Sequence, residues 1–246
     1  MRQKIRRIII YISLLLFPVT LNFFSPYVSV DGAMKGIVSG SVIVFCGQFL
    51  SGVFLGRAWC GWLCPVAGLS ELGMTVNSKP VPVKKLRIIR YTVFTVWFLT
   101  LAASFVMAGG IKGVDPLHLT ENFISVDEPF KYITYYLVLS ILTALTFLVG
   151  KRGACHTICW MSPFLVAGTM LGRKLRIPQL RVKAEPSLCI DCMTCNKKCP
   201  MSIDVNAEVK RGGVKSQDCI LCGECVDGCP RKVLRYAANG GTRYRE

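Results

Sequence analysis

Cys189-Ile-Asp-Cys192-Met-Thr-Cys195-Asn-Lys-Lys-Cys199-Pro200 is answered further along the chain by Cys219-Ile-Leu-Cys222-Gly-Glu-Cys225-Val-Asp-Gly-Cys229-Pro230. Both runs read Cys-x2-Cys-x2-Cys-x3-Cys-Pro. A cubane iron takes a soft, anionic ligand, and thiolate is the one a protein offers. The two-residue gaps let three thiolates of one tight loop reach three corners of a [4Fe–4S] cluster, and the fourth comes from the other run. Cys189, Cys192, Cys195 and Cys229 are therefore expected on one cluster, and Cys219, Cys222, Cys225 and Cys199 on a second. Disulfides or zinc knuckles compete for the same cysteines. Two complete copies, each with its proline, weigh against them, and disulfides are rare inside cells.

The chain has 246 residues, 13 of them cysteine, with 52% hydrophobic content and a formal net charge of +16. That is too apolar for a soluble chain that also carries a polar cluster unit, and the excess lies before residue 170. Charge of this sign suits nucleic acid or the basic inner face of a membrane protein. The basic residues flank apolar stretches, so the membrane is the expected partner and nucleic acid is not.

Four transmembrane helices are expected, over residues 8–24, 34–55, 88–107 and 130–149, since a span needs roughly 20 apolar residues for about 30 Å of hydrocarbon. Pro18 should kink the first. The basic start (Arg2, Lys4, Arg6, Arg7) resembles that of a signal peptide, but no small-x-small cleavage site follows. The second stretch is rich in Gly and Ser, a composition that lets helices approach closely in lipid. Cys46 within it reads as a small hydrophobe. The N-terminus, the loop at 79–90 and the segment 151–176 are basic; residues 108–129 carry Asp115, His118, Glu121, Asp127 and Glu128. The positive-inside rule then places both termini in the cytoplasm of a multi-pass inner-membrane protein.

The membrane part repeats. Gly56-Arg57 precedes Cys60-x3-Cys64-Pro65, and Gly150-Lys151 precedes Cys155-x3-Cys159. Two pseudo-symmetric hairpins would bring the pairs to one membrane surface. Cysteines four apart share a helix face, so two facing pairs offer four thiolates to one centre. A third iron–sulfur cluster, a zinc ion, a dithiol pair and structural cysteines at a packing seam all remain open. His156 is a candidate proton carrier or a polar anchor. Trp59, Trp62, Trp97 and Trp160 read as an interface belt, with Trp62 and Trp160 close to the cysteine pairs.

These features together resemble the NapH-like membrane ferredoxins, a group related to NosR-type and MauN-type proteins. The resemblance implies an α-helical membrane domain of four transmembrane helices in two pseudo-repeated hairpins (residues 1–176). A linker and a small α+β bacterial 2[4Fe–4S] ferredoxin-like domain (177–246) would follow. It implies electron exchange between the quinone pool, or a soluble low-potential donor, and another redox protein. The second motif departs from the group's Cys-x3-Cys-Pro, because its proline is Pro163.

The cluster unit is too short to bury much of a core, so the clusters themselves should supply one, with Ile190 and Ile220 packing on them. Lys197, Lys198, Arg211, Lys215, Arg231, Lys232 and Arg235 make it basic. That suits a solvated face or a docking surface for an acidic ferredoxin or flavodoxin. No Rossmann, Walker or Ser-His-Asp pattern is visible. An electron-transfer subunit is therefore expected ahead of a quinone-reactive oxidoreductase, or of a maturation or regulatory factor for another metalloenzyme.

Overall fold

A computed structural model describes residues 1–120 and 124–239. Glu121, read above as part of an acidic loop, lies outside them. Helix α1 (Arg2–Leu15) bends by 60° into α2 (Phe17–Thr20) and a 3-10 turn, with Pro18 in the first turn of α2. Helix α3 (Pro26–Met34) is capped by the Ser25 hydroxyl and leads into β1 (Ile37–Ser39). Then come α4 (Gly40–Leu55), α5 (Ala58–Trp62), α6 (Pro65–Gly73) and α7 (Val83–Met107). Strand β2 (Gly113–Asp115) pairs in parallel with β1. Helices α8 (Pro129–Val149), α9 (Gly153–Thr157) and α10 (Ser162–Lys174) complete the apolar part.

The expectation of four spanning helices is not met. Two helices, α7 and α8, are long and apolar enough to cross a membrane, or three if the bent pair at the start is one span. The second expected stretch, 34–55, is interrupted. Gly36 adopts a left-handed φ of 73°, and Ile37–Ser39 leave the helix to pair with Gly113–Asp115. The remaining α4 has 16 residues, about 24 Å of helix against about 30 Å of hydrocarbon. Helices α7 and α8 expose apolar side chains such as Leu99, Val106, Ile133 and Leu137, as lipid-facing helices do.

Helices α4 and α10 lie side by side in parallel: Gly168 sits on the Phe49 carbonyl and Gly172 on that of Val53. A Cβ at Gly168 would come within 2.1 Å of that oxygen, so only glycine permits this approach. Helix α6 packs on α1 and α8. Each half's outgoing helix thus lies against the other half's incoming one, α10 on α4 and α6 on α8.

The C-terminal part is built on an antiparallel sheet of order β4-β3-β5. Its strands are β3 (Gln179–Ala184), β4 (Gly213–Val214) and β5 (Leu234–Asn239). Short helices α11 (Thr194–Lys198), α12 (Val205–Lys210) and α13 (Glu224–Asp227) hold the cysteine runs against it. Their core is largely Val182, Met201, Val205, Val209, Ile220 and the cysteines themselves.

Candidate metal centres

The two long runs fold alike. Asp191 and Met193, either side of Cys192, have φ of 53° and 57°; Leu221 and Gly223, either side of Cys222, have 53° and 81°. Ser202 and Lys232, three residues after Cys199 and Cys229, are left-handed too. Such turns aim successive backbone N–H groups into one concavity, a shape suited to an anion. Cys189, Cys192, Cys195 and Cys229 line a single cavity. Cys199 lies among Cys219, Cys222 and Cys225, close enough for their charges to interact. Cys229 thus shares a cavity with the first run's cysteines and Cys199 lies within charge range of the second run's, an arrangement compatible with crossed ligation.

The groups differ in environment. Cys192 is exposed, and hydrogen bonds from Thr194 lower its pKa. Burial pushes Cys219 up to about 12 and Cys222 up to about 11. Thiols held this dry stay protonated unless a cation takes the proton's place, so loading a metal there releases protons.

The four remaining paired cysteines meet. Cys60, Cys64, Cys155 and Cys159 line one enclosed cavity. They do not form two i,i+4 helix faces as expected from their spacing. Cys60 and Cys155 sit in α5 and α9, but Cys64 is the extended residue before α6, and Cys159 lies in the break before α10. Pro163 does for α10 what Pro65 does for α6, standing in its first turn. The late proline goes with a break longer by two residues, Trp160 and Met161, between the second cysteine and the helix that follows. Burial pushes Cys64 well up and Cys159 to about 11. Among the described residues no three His, Cys, Asp or Glu side chains converge on a single metal ion; thiolates around a cubane are spaced more widely. Cys46 stands apart, exposed in an apolar groove with Phe49, Phe94 and Phe164.

Sequence reasoning missed two arginines. Gly56 (φ 58°) and Gly150 (φ 117°) end α4 and α8 in matching left-handed turns. The residues that open the next helices are Arg57 and Arg152, each three before its first cysteine. Counted from cysteine, the repeat is Arg-x2-Cys-x3-Cys in both halves, and Lys151 is the extra residue. Both arginines line the four-cysteine cavity, 3% and 1% exposed. Arg57 Nη1 donates to the Gln217 carbonyl (3.0 Å) and approaches Asp218 (3.5 Å); its Nη2 lies 3.9 Å from the Cys60 sulfur. Arg152 donates to the Cys60 carbonyl (3.1 Å) and to Glu71 (2.9 Å). Glu71 also accepts from Arg6 at 3.0 Å, and Asp218 from Arg87 and Arg90.

His156 is fully buried, with neither ring nitrogen hydrogen-bonded, and burial takes its pKa down to about 3. It is neutral at physiological pH. His118 bonds Asp31 at 2.7 Å and anchors the outer loop to α3. Trp62 donates to the Leu221 carbonyl, joining α5 to the second run, while Trp160 and Trp97 donate to the carbonyls of Phe24 and Pro26. Ile220 is buried, but Ile190 is 56% exposed.

The profile of the 4Fe-4S dicluster domain matches residues 188–234, and that of a 4Fe-4S binding domain matches 40–86. The chain resembles 4Fe–4S-binding, ferredoxin-type membrane proteins. A methylamine utilization ferredoxin-type protein, MauN, of Methylorubrum extorquens is 27% identical over 89% of this chain and 76% of its own length. The ferredoxin-type protein NapH of Escherichia coli is 25% identical over 91% and 77%. An uncharacterised protein of Methanocaldococcus jannaschii is 24% identical over 86% and 79%. No solved structure matches the chain. Two [4Fe–4S] clusters and the character of an iron–sulfur ferredoxin with membrane-spanning helices are supported on these grounds.

Proposed function

We propose that this protein is a membrane-bound electron relay. Cys189, Cys192, Cys195 and Cys229 hold one cluster, Cys219, Cys222, Cys225 and Cys199 a second, and Cys60, Cys64, Cys155 and Cys159 a third iron–sulfur centre. Clusters so bound supply one-electron chemistry. The chain divides at about residue 176 into a membrane unit (1–176) and a cluster unit (177–246), both termini facing the cytoplasm. The observation that carries this reading is a contact. The backbone at Gly61, beside Cys60, abuts the carbonyl of Ile220, beside Cys219: a Cβ on Gly61 would lie 2.4 Å from that oxygen. Ile220 and Met201 belong to the wall of the four-cysteine cavity. Ile220 thus stands at both cysteine sets, next to Cys219 in the chain and in the wall of the four-cysteine cavity, which supports electron passage between them.

The residues suit the groups. The left-handed turns around Cys192 and Cys222 present N–H donors to cluster sulfur, a known lever on potential. Exposed Cys192 offers an entry point for a soluble ferredoxin or flavodoxin or another redox protein. The match of a 4Fe-4S profile to 40–86 supports a centre at Cys60 and Cys64.

Reaction with quinone is a second reading. A cavity of about 490 Å³ supports it, within the range for small-molecule sites. It is lined mainly by apolar side chains, with Asn22, Ser125 and Lys131 at its wall, and includes Ile158 and Trp160, the neighbours of Cys159.

Anaerobic purification with iron and sulfide counts and EPR tests the relay. Wild type should carry iron beyond two cubanes, and Cys60→Ala and Cys155→Ala should each lose the same signal. Variants that keep the full wild-type iron and spectrum would remove the third centre. Bound quinone displaced by Trp160→Ala would favour the second reading.

A further inference from the structure

Four arginines are buried in this protein, Arg6, Arg57, Arg90 and Arg152, against two buried carboxylates, Glu71 and Asp218, among the described residues. Arg6 has Glu224 as a further, partly exposed partner. Asp218 serves Arg57, Arg90 and Arg87 together. A buried charge without a counter-charge is costly, so this region is short of negative charge. The deficit has a location. The Nε groups of Arg57 and Arg152 are buried without a hydrogen-bond partner, and both side chains line the four-cysteine cavity.

We propose that Arg57 and Arg152, one from each half of the repeat, are the counter-ions of an anionic redox centre on Cys60, Cys64, Cys155 and Cys159 and hold its reduction potential up. This rests on the third centre argued above. Four thiolates on a cubane give an anion, and reduction adds one electron and one further negative charge. A guanidinium beside it in a low-dielectric site stabilises the reduced form more than the oxidised one. Neutral thiols or a disulfide would leave Arg152 and Arg57 only Glu71 and Asp218, carboxylates each shared with another buried guanidinium. Arginine suits the place because its planar fork donates to the Gln217 carbonyl and approaches Asp218 with one edge while the other lies against the Cys60 sulfur. The same two side chains also reach the next cysteine set: Arg57 shares a second cavity wall with Cys219, and the Arg152 charge lowers the pKa of Cys222. A change of charge on one set is therefore felt at the other.

The test is a redox titration followed by EPR on the full-length protein in detergent, with iron counted in each sample, for wild type, Arg57→Gln and Arg57→Lys. Arg57 is the better probe, because Arg152 also ties Glu71 to Cys60. In Arg57→Gln the signal that Cys60→Ala abolishes should shift to lower potential. The expected shift corresponds to at least a tenfold change in the oxidised-to-reduced ratio, about 59 mV for one electron. Arg57→Lys should recover most of it. If Arg57→Gln loses iron instead, retention of iron by Arg57→Lys still supports the counter-ion role, and equal loss in both overturns it. Full iron with an unmoved potential overturns the proposal while leaving the third centre intact. A wild type with no signal sensitive to Cys60→Ala overturns both.

Discussion

Arg152 Nη1 donates to the carbonyl of Cys60 at 3.1 Å, so the second half of the repeat grips the backbone of the first at its cysteine turn. The other edge of the same guanidinium holds Glu71 on α6, which also holds Arg6 on α1. One carboxylate thus joins three segments far apart in sequence. Glu71→Gln should strand the buried Arg152 guanidinium and leave Arg6 with Glu224 only. Breaking a buried pair typically costs about 3–5 kcal/mol, so the variant should unfold at markedly lower denaturant, followed by tryptophan fluorescence.

The same carboxylate predicts an acid limb. Burial alone would raise the pKa of Glu71, but Arg152 and Arg6 outweigh it and hold the group below its ordinary 4.5. A depressed folded pKa contributes stability that is complete above the unfolded value and is lost as pH falls through the folded one. Amide exchange in α1 and α6 should therefore quicken below about pH 4.5 in wild type. Glu71→Gln should lack that step, its stability already lower and flat across the window.

The proposed crossed ligation makes the two cluster loops separable by experiment. Cys199→Ala should damage the cluster of Cys219, Cys222 and Cys225, and Cys229→Ala that of Cys189, Cys192 and Cys195. EPR of each variant distinguishes the two. Selective loss of the Cys189 cluster in Cys199→Ala would refute the assignment.

Gly61 and Gly47 form a matched pair of substitutions. A Cβ at Gly61 meets the Ile220 carbonyl at 2.4 Å, whereas nothing lies within 4 Å of one at Gly47. Gly61→Ala should push α5 off the second cysteine run, costing about 1–3 kcal/mol as overpacking does and loosening the Trp62 bond to Leu221. Gly47→Ala should be neutral or slightly stabilising in thermal unfolding, since alanine favours helix by about 1 kcal/mol.

Ligand spacing was the most legible property of the chain, because it is local. Three cysteines on one turn must lie close whatever the rest of the protein does, and the expectation of crossed ligation by Cys199 and Cys229 comes from the motif. The count of spans was less legible. Hydropathy over 34–55 cannot reveal that Gly36 breaks the helix and that Ile37–Ser39 find a partner strand at Gly113–Asp115, since that pairing is long-range. The roles of Arg57 and Arg152 were hidden by the choice of origin. Aligning the halves on Gly56 and Gly150 sets Arg57 against Lys151, whereas aligning them on cysteine sets it against Arg152. Glu71 and Asp218 carry no motif, and only the fold brings them under the arginines.

The first turn of α1 has a consequence for the order of assembly. Gln3 donates to the carbonyl of Cys222, Arg2 to Asp227 and Arg6 to Glu224. Residues 2–6 are made long before residues 222–227, so these bonds can close only after the second cysteine run has been made. They fasten the start of the chain over that run and tie the first helix to the cluster unit.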